Sequence, residues 1–149
     1  MTSTEKVTRG AVRLLHSLGY AAVCELPLTN GRRADVVGVD KAGEVAIVEV
    51  KSGLADFRSD KKWQQYLPYA DAFYFAVDEH FPMEVLGEEE SLPDVTGIII
   101  SDGFDGEIIR PAAARKVHPS RRKTLHLKMA RVAATRLSQP LFSNKAWSC

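Results

Sequence analysis

Residues 32–77 read RRADVVGVDKAGEVAIVEVKSGLADFRSDKKWQQYLPYADAFYFAV, and this stretch decides the fold. Residues 32–39 are rich in β-branched side chains, and Asp40-Lys41-Ala42-Gly43 has the chemistry of a turn. Residues 44–51 form a second strand, apolar on both faces, as a strand inside a sheet must be. Ser52-Gly53 ends it. Trp63, Tyr66 and Leu67 give an apolar stripe that predicts a helix over residues 56–67, closed by Pro68. Residues 71–77, DAFYFAV, return as a strand. Strand, helix and strand in that order predict a right-handed parallel crossover.

Working outward, residues 4–18 carry Val7, Ala11, Leu14, Leu15 and Leu18 at helical spacing, and Gly19 is a natural stop. Residues 21–28 read as a strand broken by Pro27, and Thr29-Asn30-Gly31 is a strong turn signal. The acidic stretch 78–94 holds Pro82 and Pro93 and is expected to be a loop. Strands follow at 95–101 and 107–110. After Pro111 comes a basic linker, then a helix over 120–137, with the last dozen residues loosely held. The expectation is a single α/β domain over residues 1–149. Its central mixed sheet is flanked by helices, in the order α-β-β-β-α-β and then β-β-α. A basic C-terminal helix and tail begin at about residue 112.

Composition sets outer limits. The chain has 149 residues, 45% hydrophobic and 26% charged, which excludes wholesale disorder. No apolar run approaches the roughly 20 residues of a membrane helix, so no membrane partner is expected. The N-terminus lacks the apolar core of a signal peptide. Two cysteines, Cys24 and Cys149, are too few for a disulfide scaffold or a cysteine zinc site. A cytoplasmic location is the expectation. The histidines lack metal spacing, and no glycine-rich phosphate loop is present.

The net charge of +1 hides an asymmetry: residues 110–149 carry 10 of the 20 Lys/Arg and none of the 19 Asp/Glu. Nucleic acid is the first candidate for an anionic partner. Arg121, Arg122, Lys123, Lys128 and Arg131, with Arg136 beyond, would meet phosphates. Leu125, Met129, Val132 and Ala133 would pack on the sheet. Aromatic residues are scarce in that segment, which argues against a single-strand stacking platform.

The acids can be placed by turn geometry. If residues 41–43 form the loop, Asp35 faces Glu49 across neighbouring strands. If residues 29–31 form the preceding loop, Glu25 faces Asp35. Lys51, two residues beyond Glu49, shares its face. Like charges so opposed destabilise a sheet unless a cation sits among them, and Mg²⁺ takes carboxylate oxygens. A loop one residue shorter would break the alignment, leaving Glu25 and Asp35 as solubilising charges. Glu49 resists that reading, because it lies in the otherwise apolar AIVEVK, where an unpaired carboxylate is costly.

Ala34-Asp35, 13 intervening residues, then Glu49-Val50-Lys51 resembles the PD-(D/E)XK signature of restriction-endonuclease-like nucleases, with Ala34 in place of the proline. Residues 32–77 as a whole resemble the bacterial MmcB-like family, regarded as DNA-repair endonucleases. The resemblance implies a restriction-endonuclease-like core in which Asp35 and Glu49 bind Mg²⁺, for which Mn²⁺ substitutes. It also implies the Val50 carbonyl as a further ligand and an upstream acid to complete the site, a place that Glu25 fits by the register above. Lys51 would act on the attacking water and the phosphate. Gln65 and Tyr69 match a Q-x-x-x-Y element, although Pro68 lies between them. The implied function is metal-dependent hydrolysis of DNA, as an endonuclease in repair. DNA is the implied partner; a second copy of the chain and a DNA-repair protein are further candidates. The alternatives are a catalytically silent DNA-binding or scaffold module and an RNA-directed nuclease.

Overall fold

The structure is a computed structural model, and it describes residues 1–142. Helix α1 (Ser3–Ser17) is followed by strands β1 (Ala21–Pro27), β2 (Arg33–Val39) and β3 (Val45–Val50). Then come α2 (Leu54–Ser59), a 3-10 segment (Trp63–Tyr69) and β4 (Ala72–Val77). The short helix α3 (Met83–Leu86) and a 3-10 turn (Glu89–Ser91) lead to β5 (Gly97–Ser101) and β6 (Gly106–Arg110). The basic helix α4 (Pro119–Ser138) closes the order, with a 3-10 turn (Gln139–Leu141) after it.

The sheet is mixed and has six strands in the order β1-β2-β3-β4-β5-β6. β1, β2 and β3 are antiparallel, β3, β4 and β5 are parallel, and β6 returns antiparallel. This is the expected α/β architecture, with the parallel crossover running through α2. Helix α1 lies on one face, where Val7, Ala11 and Leu15 pack on Val36, Val48 and Ile99. The other face holds α2, the 3-10 segment and α4, with Phe57, Trp63, Leu125 and Met129 against Ile47, Phe73 and Phe75. Gly10 lets α1 approach the sheet: a Cβ there would sit 1.8 Å from the Ser101 hydroxyl oxygen. Among the described residues, no helix is long and apolar enough to cross a membrane.

The expected register is present in both hairpins. Val36 pairs with Val48 and Val39 with Val45, while Cys24 pairs with Val36 and Leu26 with Ala34. Regular strands put residues two apart on one face. Yet Cys24 and Val36 join the α1 side of the core, and Leu26 and Ala34 join the other side. Both strands therefore change face at one level, that of Glu25 and Asp35. Glu25 has φ +52°, in the left-handed region.

Several expected elements differ. The single helix over residues 56–67 is two pieces, because Asp60 leaves the helical path. Its carboxylate accepts from the Lys62 amide at 2.8 Å and from Lys51 Nζ at 2.6 Å, bonds that a continuous helix would forgo. Pro68 lies inside the 3-10 segment instead of closing a helix. The acidic loop contains α3 and a 3-10 turn. β5 begins at Gly97 and not at Val95, because the Val95 and Thr96 amides both turn back to the Leu92 carbonyl. Of the last dozen residues, 138–142 continue as helix and turn, and 143–149 lie outside the described residues.

Candidate active site

The site lies where β3 leaves the sheet. Every residue of β3 is buried, so Glu49 reaches solvent with only 5% of its surface, as does Lys51 just beyond. At this level β2 and β3 replace ladder bonds with side-chain bonds. The Asp35 amide donates to Glu49 Oε1 at 3.1 Å, and the Val50 amide donates to Asp35 Oδ2 at 2.8 Å. The two carboxyls also hydrogen-bond each other.

Burial, followed by the charge of Asp35, pushes the Glu49 carboxyl up to about 9. Burial also raises Asp35, against the pull of the Val50 amide and the Lys51 ammonium. Near neutral pH, with no metal, the pair therefore holds one proton between two acids. The Lys51 ammonium attracts both members but is ion-paired at 2.6 Å with Asp60. Burial works to raise Asp60, yet Lys51 and the Lys62 amide together hold its carboxyl below the usual range. Asp56 accepts from the Ser52 amide at 3.1 Å and adds negative potential at Asp35. Tyr66 donates its hydroxyl to the Arg33 carbonyl at 3.0 Å, and burial and then the charge of Glu49 keep that hydroxyl protonated.

Asp35 opens onto a cleft of about 470 Å³ between α1 and β1, which Glu25, Thr8 and Arg9 also line. Glu25 departs from the expected row. It shares the cleft but is not drawn into the pair; its side chain is 63% exposed and lies 3.8 Å from Arg33. Its positive φ turns it out of the row that regular pairing would have made. Among the described residues, no group of three or more His, Cys, Asp or Glu is close enough to hold a metal ion. The expected three-carboxylate row is thus an Asp35–Glu49 pair with Lys51 beside it. The pair still suits Mg²⁺, which needs only one or two carboxylates plus waters and substrate oxygens. A cation would relieve a repulsion that now takes a proton to quench.

The basic helix divides by role. Arg122 is engaged within the fold: its guanidinium grips the buried Asp71 through two bonds of 2.7 and 2.6 Å and also donates to the Gly43 carbonyl. Arg136 bonds the carbonyls of Cys24 and Glu25, bracing the kinked part of β1. Arg121, Lys123 and Arg131 are exposed and Lys128 is partly so, which leaves them available to phosphate. Cys24 is buried on β1. The Q-x-x-x-Y pair is structural: Gln65 accepts from Arg32 at 3.0 Å, and Tyr69 shares a 2.9 Å hydrogen bond with Thr29. Asp60, Asp56 and Tyr66 were missed from the sequence. The apolar helical stripe masked Asp60, and only the adjacent Lys61-Lys62 marks it, which is no signal for a lysine partner.

A family model described as DNA repair protein MmcB-like matches residues 2–143. A solved structure, the SPO1766 protein of unknown function from Silicibacter pomeroyi, is 37% identical. It superposes with a TM-score of 0.87 over 99% of this chain and 97% of that one. No curated protein matches.

Proposed function

Because the chain belongs to the MmcB-like DNA repair protein family, we propose that it is a metal-dependent nuclease of PD-(D/E)XK type that cleaves DNA phosphodiester bonds, as an endonuclease. The observation that carries this reading is the buried Asp35–Glu49 pair with the Lys51 ammonium beside it. A fold gains nothing from two buried acids that must share a proton, so the arrangement is explained by a ligand that replaces the proton.

Asp35 and Glu49 would hold Mg²⁺, and the Val50 carbonyl is the proposed further donor. Mg²⁺ supplies Lewis acidity, which makes water more acidic and offsets charge on the phosphate. The chain's own residues do the rest. The reciprocal amide bonds fix both carboxyls before substrate arrives, so no reorganisation is needed during reaction. Lys51 presents a cation to the phosphate oxygens or the attacking water. Asp60, 2.6 Å away, restricts the direction of that ammonium. The exposed cations of α4 contact the DNA backbone without reading sequence.

The second reading, a silent DNA-binding module, draws on two features. Glu25 stands apart with Arg33, and Lys51 is already engaged by Asp60. The experiment is a panel of labelled linear, nicked, flapped, branched and single-stranded DNAs incubated with Mg²⁺, Mn²⁺ or EDTA. Metal-dependent products lost in Glu49→Gln support the nuclease. Binding without any product supports the module.

A further inference from the structure

A second cleft lies away from the carboxylate pair, between the N-terminal half of α4 and the turn joining β1 to β2. It encloses about 510 Å³, a volume typical of small-ligand sites. Ser120, Thr124 and Lys128 line it on successive turns of α4, and Arg121 stands beside them. Leu28 and Tyr69 form its apolar side. No carboxylate lines it among the described residues, so its cations have no internal counter-charge there.

Sequence alone gave the basic segment no aromatic partner. The fold brings one from the 3-10 segment: Arg121 lies over the Tyr69 ring, 5.1 Å from its centroid. Tyr69 is nearly buried and its hydroxyl is shared with Thr29, so the ring is a fixed backing for the guanidinium. Arg121 itself is exposed, and a guanidinium held on one side by an aromatic ring offers its other side as a flat cationic surface. Unpaired bases stack on such planes, while hydroxyls and ammonium groups take phosphate. One turn earlier on the same 3-10 segment, Tyr66 bonds the Arg33 carbonyl, two residues before Asp35. The cleft and the candidate active site are thus joined by one rigid segment.

We propose that this cleft holds an unpaired nucleotide of the DNA, its base against Arg121 and Leu28 and its phosphate on Lys128, Ser120 and Thr124. The assignment rests on the DNA reading and deepens it: the bound DNA carries a single-stranded stretch, as flaps, overhangs and gaps do. A duplex nucleotide, stacked on both sides, does not fit a cleft of this kind.

The test is fluorescence anisotropy of the full chain in EDTA, comparing a blunt hairpin duplex with the same duplex bearing a single-stranded overhang. Wild type should bind the overhang DNA about tenfold more tightly, as one stacked base allows. Thr124→Trp fills the cleft from α4, and Thr29→Trp fills it from the opposite wall. Both threonines are exposed, and Thr124→Trp gives up no bond outside α4, whereas Thr29→Trp also gives up the Tyr69 hydroxyl bond; a thermal melt checks that each variant folds. Both variants should lose the preference while retaining blunt-duplex binding. Deoxyadenosine monophosphate should displace the overhang DNA from wild type, and adenosine should not.

The proposal is overturned if wild type shows no preference, or if both folded variants keep it. It is also overturned if inorganic phosphate competes as well as the nucleotide, since the base would then play no part. Cleavage is not needed for this measurement. A retained preference in a protein that cuts nothing would sink the nuclease reading and leave the cleft assignment standing.

Discussion

Asp35 and Glu49 each accept a hydrogen bond from the strand that carries the other: the Asp35 amide reaches Glu49, and the Val50 amide reaches Asp35. The exchange closes the β2–β3 ladder with side chains at the point where the strands splay, so the carboxyls are held by backbone. Removing a carboxyl and changing its charge are therefore different experiments. Asp35→Asn keeps an acceptor for the Val50 amide, whereas Asp35→Ala orphans it.

Stability should depend on pH through this pair. The Glu49 carboxyl is raised from 4.5 to about 9 in the fold, so the folded state binds the proton more tightly than the unfolded chain. Stability from this group is fully present below about 4.5, declines as pH rises, and is lost above about 9. The slope inside that window approaches ~1.4 kcal/mol per pH unit, the limit for one proton. Urea melts across pH, run without metal, should show the decline. Glu49→Gln should flatten it, and an unchanged slope would mean that the pair is not the source.

Arg122→Ala should destabilise by roughly 3 kcal/mol, because it leaves the buried Asp71 carboxylate without its cation. The Val45 and Val117 amides still bond that carboxylate and limit the loss. The measurement is a denaturant midpoint. At saturating protein and a temperature where the variant is folded, its DNA affinity should match wild type.

Much of this was legible in the chain. The hairpin registers followed from turn chemistry at Thr29-Asn30-Gly31 and at residues 40–43, and alternation then placed Asp35 against Glu49. The family resemblance named the same residues. Glu25 failed because a register argument assumes regular strands, and a positive φ at a non-glycine residue leaves no mark in the sequence. The structural role of Arg122 was hidden for a related reason. A cation in a basic run looks solvated until the fold sets a buried Asp71 beneath it, 51 residues away in the chain. The split at Asp60 was hidden because helical periodicity cannot register a side chain pulled away by Lys51.

Charge-removing changes at Lys123 and Arg131 should each lower the slope of log affinity against log salt by about 1 for duplex DNA, and a change at Lys128 should do so for overhang DNA. Arg122 and Arg136, committed to Asp71 and to the β1 carbonyls, should not follow that pattern. Deleting the chain after Pro111 should unfold the protein, because Leu125 and Met129 belong to the core. A folded truncation, judged by circular dichroism, would contradict the placement of α4.

If the Asp35–Glu49 pair is a metal site serving hydrolysis, metal acts on stability and on cleavage through the same residues. Wild type, Asp35→Asn and Lys51→Ala are melted with and without Mn²⁺, and the same preparations are assayed for DNA cleavage. Wild type should gain stability from metal, because a ligand bound only by the folded state stabilises it by mass action. Asp35→Asn should melt at or above wild type without metal, gain nothing from metal, and not cleave. Lys51→Ala should keep the metal response and also not cleave. Equal cleavage by all three, in preparations free of contaminating nuclease, or a metal response undiminished in Asp35→Asn, would contradict the account.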